Sequence, residues 1–549
     1  MTLIREALRD ALRDALDRGL AAGELTAADG APLPSVSIER PGRAEHGDYA
    51  SNLAMRLAPV MRRAPMQIAE ALRRNLVPPP AVSGVTVAAP GFVNLRLDDA
   101  WVAEQIGPIL AAGERYGRGS DLDGHHVNVE FVSANPTGPL TLGNARGAFV
   151  GDLLSRVLEG AGAAVTREYY FNDQGPQVRN LGRSVLAIVA GEPVPDDGYH
   201  GAYVADLAAD LPEDVLQASR ADDADPAWAV GVWASERVRA AIEGSLARLG
   251  VRFDAWTTEG SLHRDGWVSG ALERLQDAGH LYQAEGATWF RSTAFGDDKD
   301  RVVIRSNGQP TYFAADIGYL EHKFKRGFTE LIYLWGADHH GTVARNRAAA
   351  EALGHQSASI HWLLIAWVRF VRDGREISMS KRSGEFVTLD ELLSEIGTDA
   401  ARWFFGSRAT STGIDFDIEL AKRQSSENPV YYVQYAHARC ASILRNAGSA
   451  RPDARQAGEL LRQPAEQALA RELLRLPEVV SDSAQRRETH DIPRYGLDVA
   501  ALFSQFYRDC RVLTDDAPLS AARLALVDAT RLVLANALGL LGITAPSSM

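Results

Sequence analysis

The sequence predicts an α/β protein built on a doubly wound parallel sheet, with an α+β domain before it and an all-α helical bundle after it. Three observations predict this. From about residue 122 to 425, short β-rich runs alternate with helical patterns, as a parallel sheet with crossover helices requires. From Pro429 to the end, apolar residues recur at helical spacing almost without a break. The chain, at 549 residues, is also too long for one hydrophobic core.

The first domain covers residues 1–115. Leu3, Ala7, Leu8, Ala11, Leu12, Ala15 and Leu16 give the opening helix one apolar face, opposite Glu6, Asp10, Asp14 and Asp17. Acids on that face exclude a transit peptide, and no unbroken apolar stretch supplies a secretory signal. VSIER, a turn at Pro41 and Gly42, and a second helical run from Leu53 to Leu72 follow. VTVAAP and FVNLRL, joined through Pro90 and Gly91, alternate like paired strands. The Gly- and charge-rich GERYGRGSDLDG, 113–124, marks the boundary.

In the central domain, 122–425, HVNVEFVS reads as a strand leading into the helix AFVGDLLSRVLEGAG. VTREYYF, RVVIRS and LIYLWG read as further strands, and a helix runs from Thr342 to Leu353. The irregular stretch of about 185–300 reads as an insertion. Together these imply a Rossmann-like domain with its ligands at the carboxyl ends of the strands. Residues 429–549 read as a separate helical bundle.

Composition narrows the function classes. With 46% hydrophobic and 23% charged residues, the chain is an ordinary soluble globular protein. A net charge of -13 excludes a uniformly basic nucleic-acid coat but leaves room for a local basic face. Cys440 and Cys510 suit neither a disulfide framework nor a zinc site, which points to a reducing, cytoplasmic compartment and no protein-bound metal. The most apolar run, IHWLLIAWVRFV, is too short to span a membrane and contains Arg369.

Two stretches carry chemistry. In EFVSANPTGPLTLGNARGAF, residues 130–149, a strand ends in a loop and a helix starts near Gly143; the unpaired N–H groups of such a terminus suit a nucleotide phosphate, although an ordinary turn would look the same. In VRDGREISMSKRSGEFVTLDELL, residues 371–393, Asp373-Gly374 signals a hairpin. Ser378 to Gly384 then form a small-residue loop whose Lys381 can neutralise charge at a leaving pyrophosphate, if it is more than a solvated basic turn.

A strand, Asn-Pro-Thr-Gly-Pro before a glycine-containing helix start, and a distant MSKR resemble the paired signatures of the class I aminoacyl-tRNA synthetases. SANPTGPLTLGNARGA, FNDQGPQVRNLG, TYFAADIGYLEHKFKRGF, WGADHHG and SENPVYYVQYAHAR are similar to the arginyl members of that class. IERPGRAEHGDYASNLAMRLA resembles that family's amino-terminal domain, and ANALGLLGITAPSSM its anticodon-binding domain. The resemblance implies an arginine–tRNA ligase using ATP with Mg²⁺, L-arginine and tRNA-Arg, acting as a monomer and needing bound tRNA for the first step. Thr141, Gly143, Asn144, Met379, Ser380 and Lys381 are implied to serve ATP, with Thr141, Asn144 and Lys381 catalytic. Glu130, Asn135, Tyr312, Asp316 and Asp338 are implied to line the arginine pocket. Carboxylates suit that role, because a guanidinium is a permanent planar cation with five donors.

The family's first signature usually carries histidine where Thr141 and Asn144 stand, and Ser378 replaces a frequent lysine of the second. Thr141 and Asn144 can donate hydrogen bonds but carry no charge, so activity survives if the histidines act as neutral donors. For RNA, Tyr495, Arg439 and Arg508 of the bundle are the candidates, aromatics among arginines suiting unpaired bases and phosphates. The same aromatics fall at helical spacing, which a packed core also demands. His46-Gly47-Asp48-Tyr49 is implied to meet the tRNA elbow. Rival readings are a catalytically weakened synthetase-like tRNA-binding or regulatory protein, a cysteinyl synthetase, for which the zinc ligands are missing, and an unrelated nucleotide-binding enzyme.

Overall fold

The computed structural model describes residues 3–28, 31–220, 225–377 and 388–549. At its centre lies a five-stranded sheet in the order Ile360–Ile365, Glu330–Gly336, His126–Glu130, Ala164–Phe171, Ala255–Thr258. Every neighbouring pair runs parallel. Parallel strands need crossovers that cover both faces, and the residues alternate accordingly. Along Glu330–Gly336, Ile332 and Leu334 join one apolar core while Leu331 and Tyr333 join another. Helix Leu142–Gly160 covers the first face, where Gly151 permits close approach: a Cβ there would stand 2.2 Å from Phe131 Cγ. Helices Tyr312–Lys325 and His340–Ala352 cover the second.

Two elements of this region differ from expectation. Strand Ala255–Thr258 is the sheet edge, inside the stretch read as an insertion; four residues with little alternation leave a weak signal. RVVIRS is a strand, Arg301–Ile304, but it lies in a small antiparallel sheet with Leu281–Ala284 and Ala287–Phe290. The apolar run, too short to span a membrane, forms sheet strand Ile360–Ile365 and then strand Val368–Arg372. Asp373 and Gly374, with φ of 50° and 73°, turn that second strand into Arg375–Glu376, as the Asp-Gly pair predicts.

Ahead of the sheet, Val82–Ala88 and Phe92–Leu97 pair antiparallel, with helices Ile4–Ala21, Leu53–Met61 and Pro65–Asn75 packed beside them. VSIER contributes one bridge, Glu39 to Ala50, rather than a strand. The expected helix from Leu53 to Leu72 breaks at Arg62, whose φ is 47°, before Pro65 starts the next helix. The 113–124 boundary is packed rather than loose. Tyr116 is buried and donates to the Leu473 carbonyl, and a Cβ on Gly117 would meet Leu476 at 2.6 Å. After Pro429 the chain is helical, its long members being Pro429–Arg445, Asp491–Asp509 and Ala517–Leu540. Among the described residues no helix is long and apolar enough to cross a membrane.

Candidate active site and nucleic-acid interface

The strand order reverses direction between His126–Glu130 and Glu330–Gly336, and crossovers on either side of such a point leave a crevice at the carboxyl ends. A cleft of about 1500 Å³ occupies that position. Asn135, Thr141, Gly143, Asn144 and Asp338 all line it, so the structure brings these five expected site residues to one cavity.

Thr141 is the N-cap of helix Leu142–Gly160, and its backbone N–H and Oγ1 both donate to Asn144 Oδ1, at 3.0 and 3.1 Å. The pair thus closes the helix terminus on itself. The Asn144 amide oxygen is occupied by this cap, while its Nδ2 donors meet no protein acceptor among the described residues. Arg146, on the same opening turns, is buried and meets no carboxylate among the described residues; Nη1 and Nη2 donate to the carbonyls of Ala366 and Ala409 at 2.9 and 2.8 Å. Burial pulls its pKa down to about 10, so the cation persists at neutral pH and adds to the positive end of the helix. Met379, Ser380, Lys381 and Ser378 lie outside the described residues. The chain on their carboxyl side is held to the helix start: Thr388 bridges Thr141, and Leu389 N–H donates to the Leu140 carbonyl at 3.1 Å.

The acid pocket lies behind the cleft. Glu130 and Glu168 are register partners on adjacent strands and both are buried, an arrangement that needs cations. Helix Tyr312–Lys325 supplies one, and the residue that caps its end supplies the other. Lys323 Nζ binds Glu130 Oε2 at 2.6 Å, between the rings of Tyr319 and Tyr333, and Arg326 binds Glu168. Arg326 and Lys323 hold the Glu168 carboxyl below the usual range against the opposing effect of burial. Glu130, which also accepts from Ser133 Oγ at 3.2 Å, is therefore already neutralised. This corrects its reading as an open acceptor for a guanidinium.

Asp316 is different. It is half-buried and makes no hydrogen bond or ion pair among the described residues. Burial raises its carboxyl from 3.8 to about 7; Arg345 opposes the shift, while Glu259 and Glu130 add to it. Glu259 is buried too and raised by the same desolvation, and Tyr170 donates to it at 2.8 Å. With its amide turned to satisfy both ends, Asn172 donates to Glu259 at 3.2 Å and accepts from Gln177 at 3.1 Å; Gln177 in turn reaches Asn135 Oδ1 at 3.5 Å. A polar chain thus runs from the cleft to the acids. Tyr312 lies one helical turn before Asp316 and is 49% exposed. Its hydroxyl stands 3.0 Å from where a Cβ on Gly175 would be, a close approach beside a glycine whose φ of 88° already disfavours other residues. Asp338 is 82% exposed at its side chain and pairs loosely with His339 at 3.6 Å, so it belongs to the rim rather than to this pocket.

Glu259, Lys323 and Arg146 were not anticipated. Lys323 had a signal, lying seven residues after Asp316 on the same helical face. Arg146, the lone cation among small residues in GNARGA, had one as well. Glu259 follows the sheet strand hidden in the supposed insertion.

In the bundle, a second cavity of about 810 Å³ is lined by Tyr435, Arg439, Tyr507, Arg508 and Arg511. The Arg439 guanidinium lies 4.7 Å from the Tyr435 ring centroid and 5.0 Å from that of Tyr507, and both rings are exposed. Tyr495 is not part of this surface. It is 1% exposed and its hydroxyl donates to the Glu472 carbonyl at 3.1 Å, which corrects its reading as a base-stacking residue. Tyr49 is also buried, donating to Glu478 at 2.6 Å, and Asp48 accepts from Leu97 N–H and from Arg471. His46-Gly47-Asp48-Tyr49 therefore uses two of its side chains to join the first domain to the bundle.

Residues 2–97 match the arginyl tRNA synthetase N terminal domain and residues 433–549 the DALR anticodon binding domain. The arginine–tRNA ligase of Moorella thermoacetica is 46% identical over 543 residues, 96% of each chain. That of Frankia alni is 44% identical over 550 residues, 97% of each. The solved arginyl-tRNA synthetase of Thermus thermophilus superposes with a TM-score of 0.79 at 26% identity, covering 100% of both chains. With likeness of that degree along nearly its whole length, the chain belongs to the arginine–tRNA ligase family.

Proposed function

We propose that the cleft joins L-arginine to ATP and passes the arginyl group to the 3′-terminal ribose of tRNA-Arg. The observation that carries the assignment of roles is Asp316: a carboxylate with no hydrogen-bond or ion-pair partner among the described residues, beside Glu259, behind a cleft whose wall is a helix N-terminus. In the first step the arginine carboxylate oxygen attacks the α-phosphorus and pyrophosphate leaves, giving the adenylate. In the second, the ribose hydroxyl attacks the carbonyl carbon, AMP leaves, and the hydroxyl proton is lost. Little covalent chemistry falls to the protein, so positioning and charge do the work.

Asp316 and Glu259 hold the guanidinium, and Tyr312 and Asn135 bound its stem. A neutral analogue would leave both acids unpaired, and lysine lacks the planar fork. The N–H of Gly143, Asn144 Nδ2 and the buried Arg146 charge receive the phosphates of magnesium-bound ATP, and Lys381 meets the leaving pyrophosphate. Asn144 Nδ2 is a neutral donor, the role left open for the absent histidines.

Residues 1–115, 122–425 and 429–549 divide as an amino-terminal RNA-facing domain, the catalytic domain and the anticodon-binding bundle. Tyr435, Tyr507, Arg439 and Arg508 take the unpaired bases and their phosphates. The protein works as a cytoplasmic monomer. The test is aminoacylation of a tRNA-Arg transcript with labelled arginine by the wild type, Lys381→Ala and Asp316→Ala. Loss of charging in both variants with tRNA binding kept supports the assignment. An inactive wild type that still binds tRNA returns the weakened, regulatory reading.

A further inference from the structure

Trp367 is 62% exposed and lines the cleft. An indole left so open in water forgoes most of the burial that favours it, so its fixed position needs a cause. Its placement is tightly built. A Cβ on Gly413 would stand 2.5 Å from Cε2 and Cζ2 of the ring, so the indole rests directly on bare glycine backbone. Ile414 N–H donates to the Trp367 carbonyl at 3.1 Å, and Ala366 N–H to the Thr410 carbonyl at 2.9 Å. Arg146 then clamps the carbonyls of Ala366 and Ala409 from within the nucleotide-facing helix. Arg369, tied to Asp415, holds its guanidinium carbon over the ring at 5.8 Å from the centroid, the outer limit of a cation–π contact, and Trp367 still keeps 62% of its surface exposed.

We propose that Trp367 is a preorganised stacking platform for an adenine ring at the rim of the cleft. Arg146 joins this rim to the opening turns of helix Leu142–Gly160, and a Cβ on Gly147 would touch Ile365 at 3.7 Å. The rim that carries Trp367 is therefore anchored within about one turn of Gly143, on the same opening of the helix. A ring already held in place by backbone bonds loses little freedom on stacking, which favours binding. The adenine belongs either to ATP or to the terminal adenosine of the tRNA. The inference rests on the reading of the cleft as the ATP site.

The test uses the full-length wild type, Trp367→Phe, Trp367→Leu and Trp367→Ala. Arginine-dependent exchange of pyrophosphate into ATP at saturating tRNA gives KM for ATP; aminoacylation gives KM for tRNA. ATP-induced change of tryptophan fluorescence is compared between the wild type and Trp367→Phe. For the ATP source, Leu and Ala raise KM for ATP by roughly 5- to 100-fold with kcat near wild type, Phe stays close to wild type in KM, and the fluorescence change disappears in Phe. For the terminal adenosine, KM for tRNA rises instead and the change is equal in both proteins. The proposal is overturned if Leu, which keeps the apolar contact with Gly413, alters neither KM by more than about twofold while Phe keeps the full fluorescence change. A wild type without exchange defeats the reading of the site, and the fluorescence comparison then decides the platform by itself.

Discussion

Replacing Asp316 by Asn separates binding from stability with opposite signs. Its empty-site carboxyl is held near 7 against 3.8 for a free one, chiefly by burial. That gap corresponds to about 4 kcal/mol of disfavoured ionisation, and about 2 kcal/mol after allowance for solvent at a half-buried group. A carboxyl raised on folding stabilises the fold fully below its unfolded pKa and loses that contribution as pH rises through the folded value. The empty wild type therefore weakens between about pH 4 and 7, and Asp316→Asn, neutral throughout, has a higher thermal midpoint at pH 8 but none of that advantage near pH 4. Arginine binding shows the reverse. Loss of one carboxylate facing a guanidinium costs about 2–3 kcal/mol, roughly 30- to 150-fold in KM for arginine. In the wild type, kcat/KM for arginine climbs up to about tenfold per pH unit below about 7 and levels above it, while the variant is flat across that range. Pyrophosphate exchange with tRNA present, run from pH 6 to 8.5 beside thermal melts, measures both. A variant that keeps its KM within twofold, or that loses stability at pH 8, refutes the account.

Lys323→Met strands the buried Glu130 carboxylate and should cost about 3–5 kcal/mol in denaturant unfolding, with much of it recovered by adding Glu130→Gln. Gly151→Ala forces a methyl into the Phe131 ring and should cost about 1–3 kcal/mol; unchanged stability would mean that helix and sheet are not closely packed there. Arg439→Ala should raise KM for tRNA and lower the slope of log affinity against log salt by about 1, leaving KM for ATP and arginine unchanged.

Legibility followed the length and regularity of each element. The helix opening at Leu142 and its glycines were plain because a strand, a loop and a long apolar repeat stand in succession. Tyr312 and Asp316, four positions apart in YFAADIGYL, share a face of one helix. Ala255–Thr258 was hidden because four residues give no usable period, and Glu259 was hidden with it. Ile360–Ile365 was apolar throughout, a pattern that fits a fully buried strand as well as a helix. Tyr495 and Tyr435 look alike in sequence, both aromatic and both helical. Which one meets solvent depends on the Glu472 and Leu473 carbonyls of another helix, a tertiary fact. Glu130 was found, but its partner Lys323 lies 193 positions away, and the ion pair reverses what the carboxylate can do.

That reversal explains how the pocket can be both acidic and selective. Glu130, Glu168, Glu259 and Asp316 converge on one region of the sheet, and four mutually exposed carboxylates would raise one another and ionise incompletely. Helix Tyr312–Lys325 and its C-terminal residue withdraw two of them, Glu130 by Lys323 and Glu168 by Arg326, and leave Asp316 on the same helix without a partner among the described residues. The remaining open charge is small enough to persist in an empty pocket near neutral pH and is fully ionised only when a cation enters. A monovalent ammonium would satisfy Asp316 alone, whereas a planar fork can reach Asp316 and Glu259 together. If so, Lys323→Met should raise the apparent pKa governing arginine kcat/KM, because Glu130 would then add its full charge beside Asp316. An unchanged pH profile in a folded Lys323→Met protein would show that the two carboxylates do not sense each other.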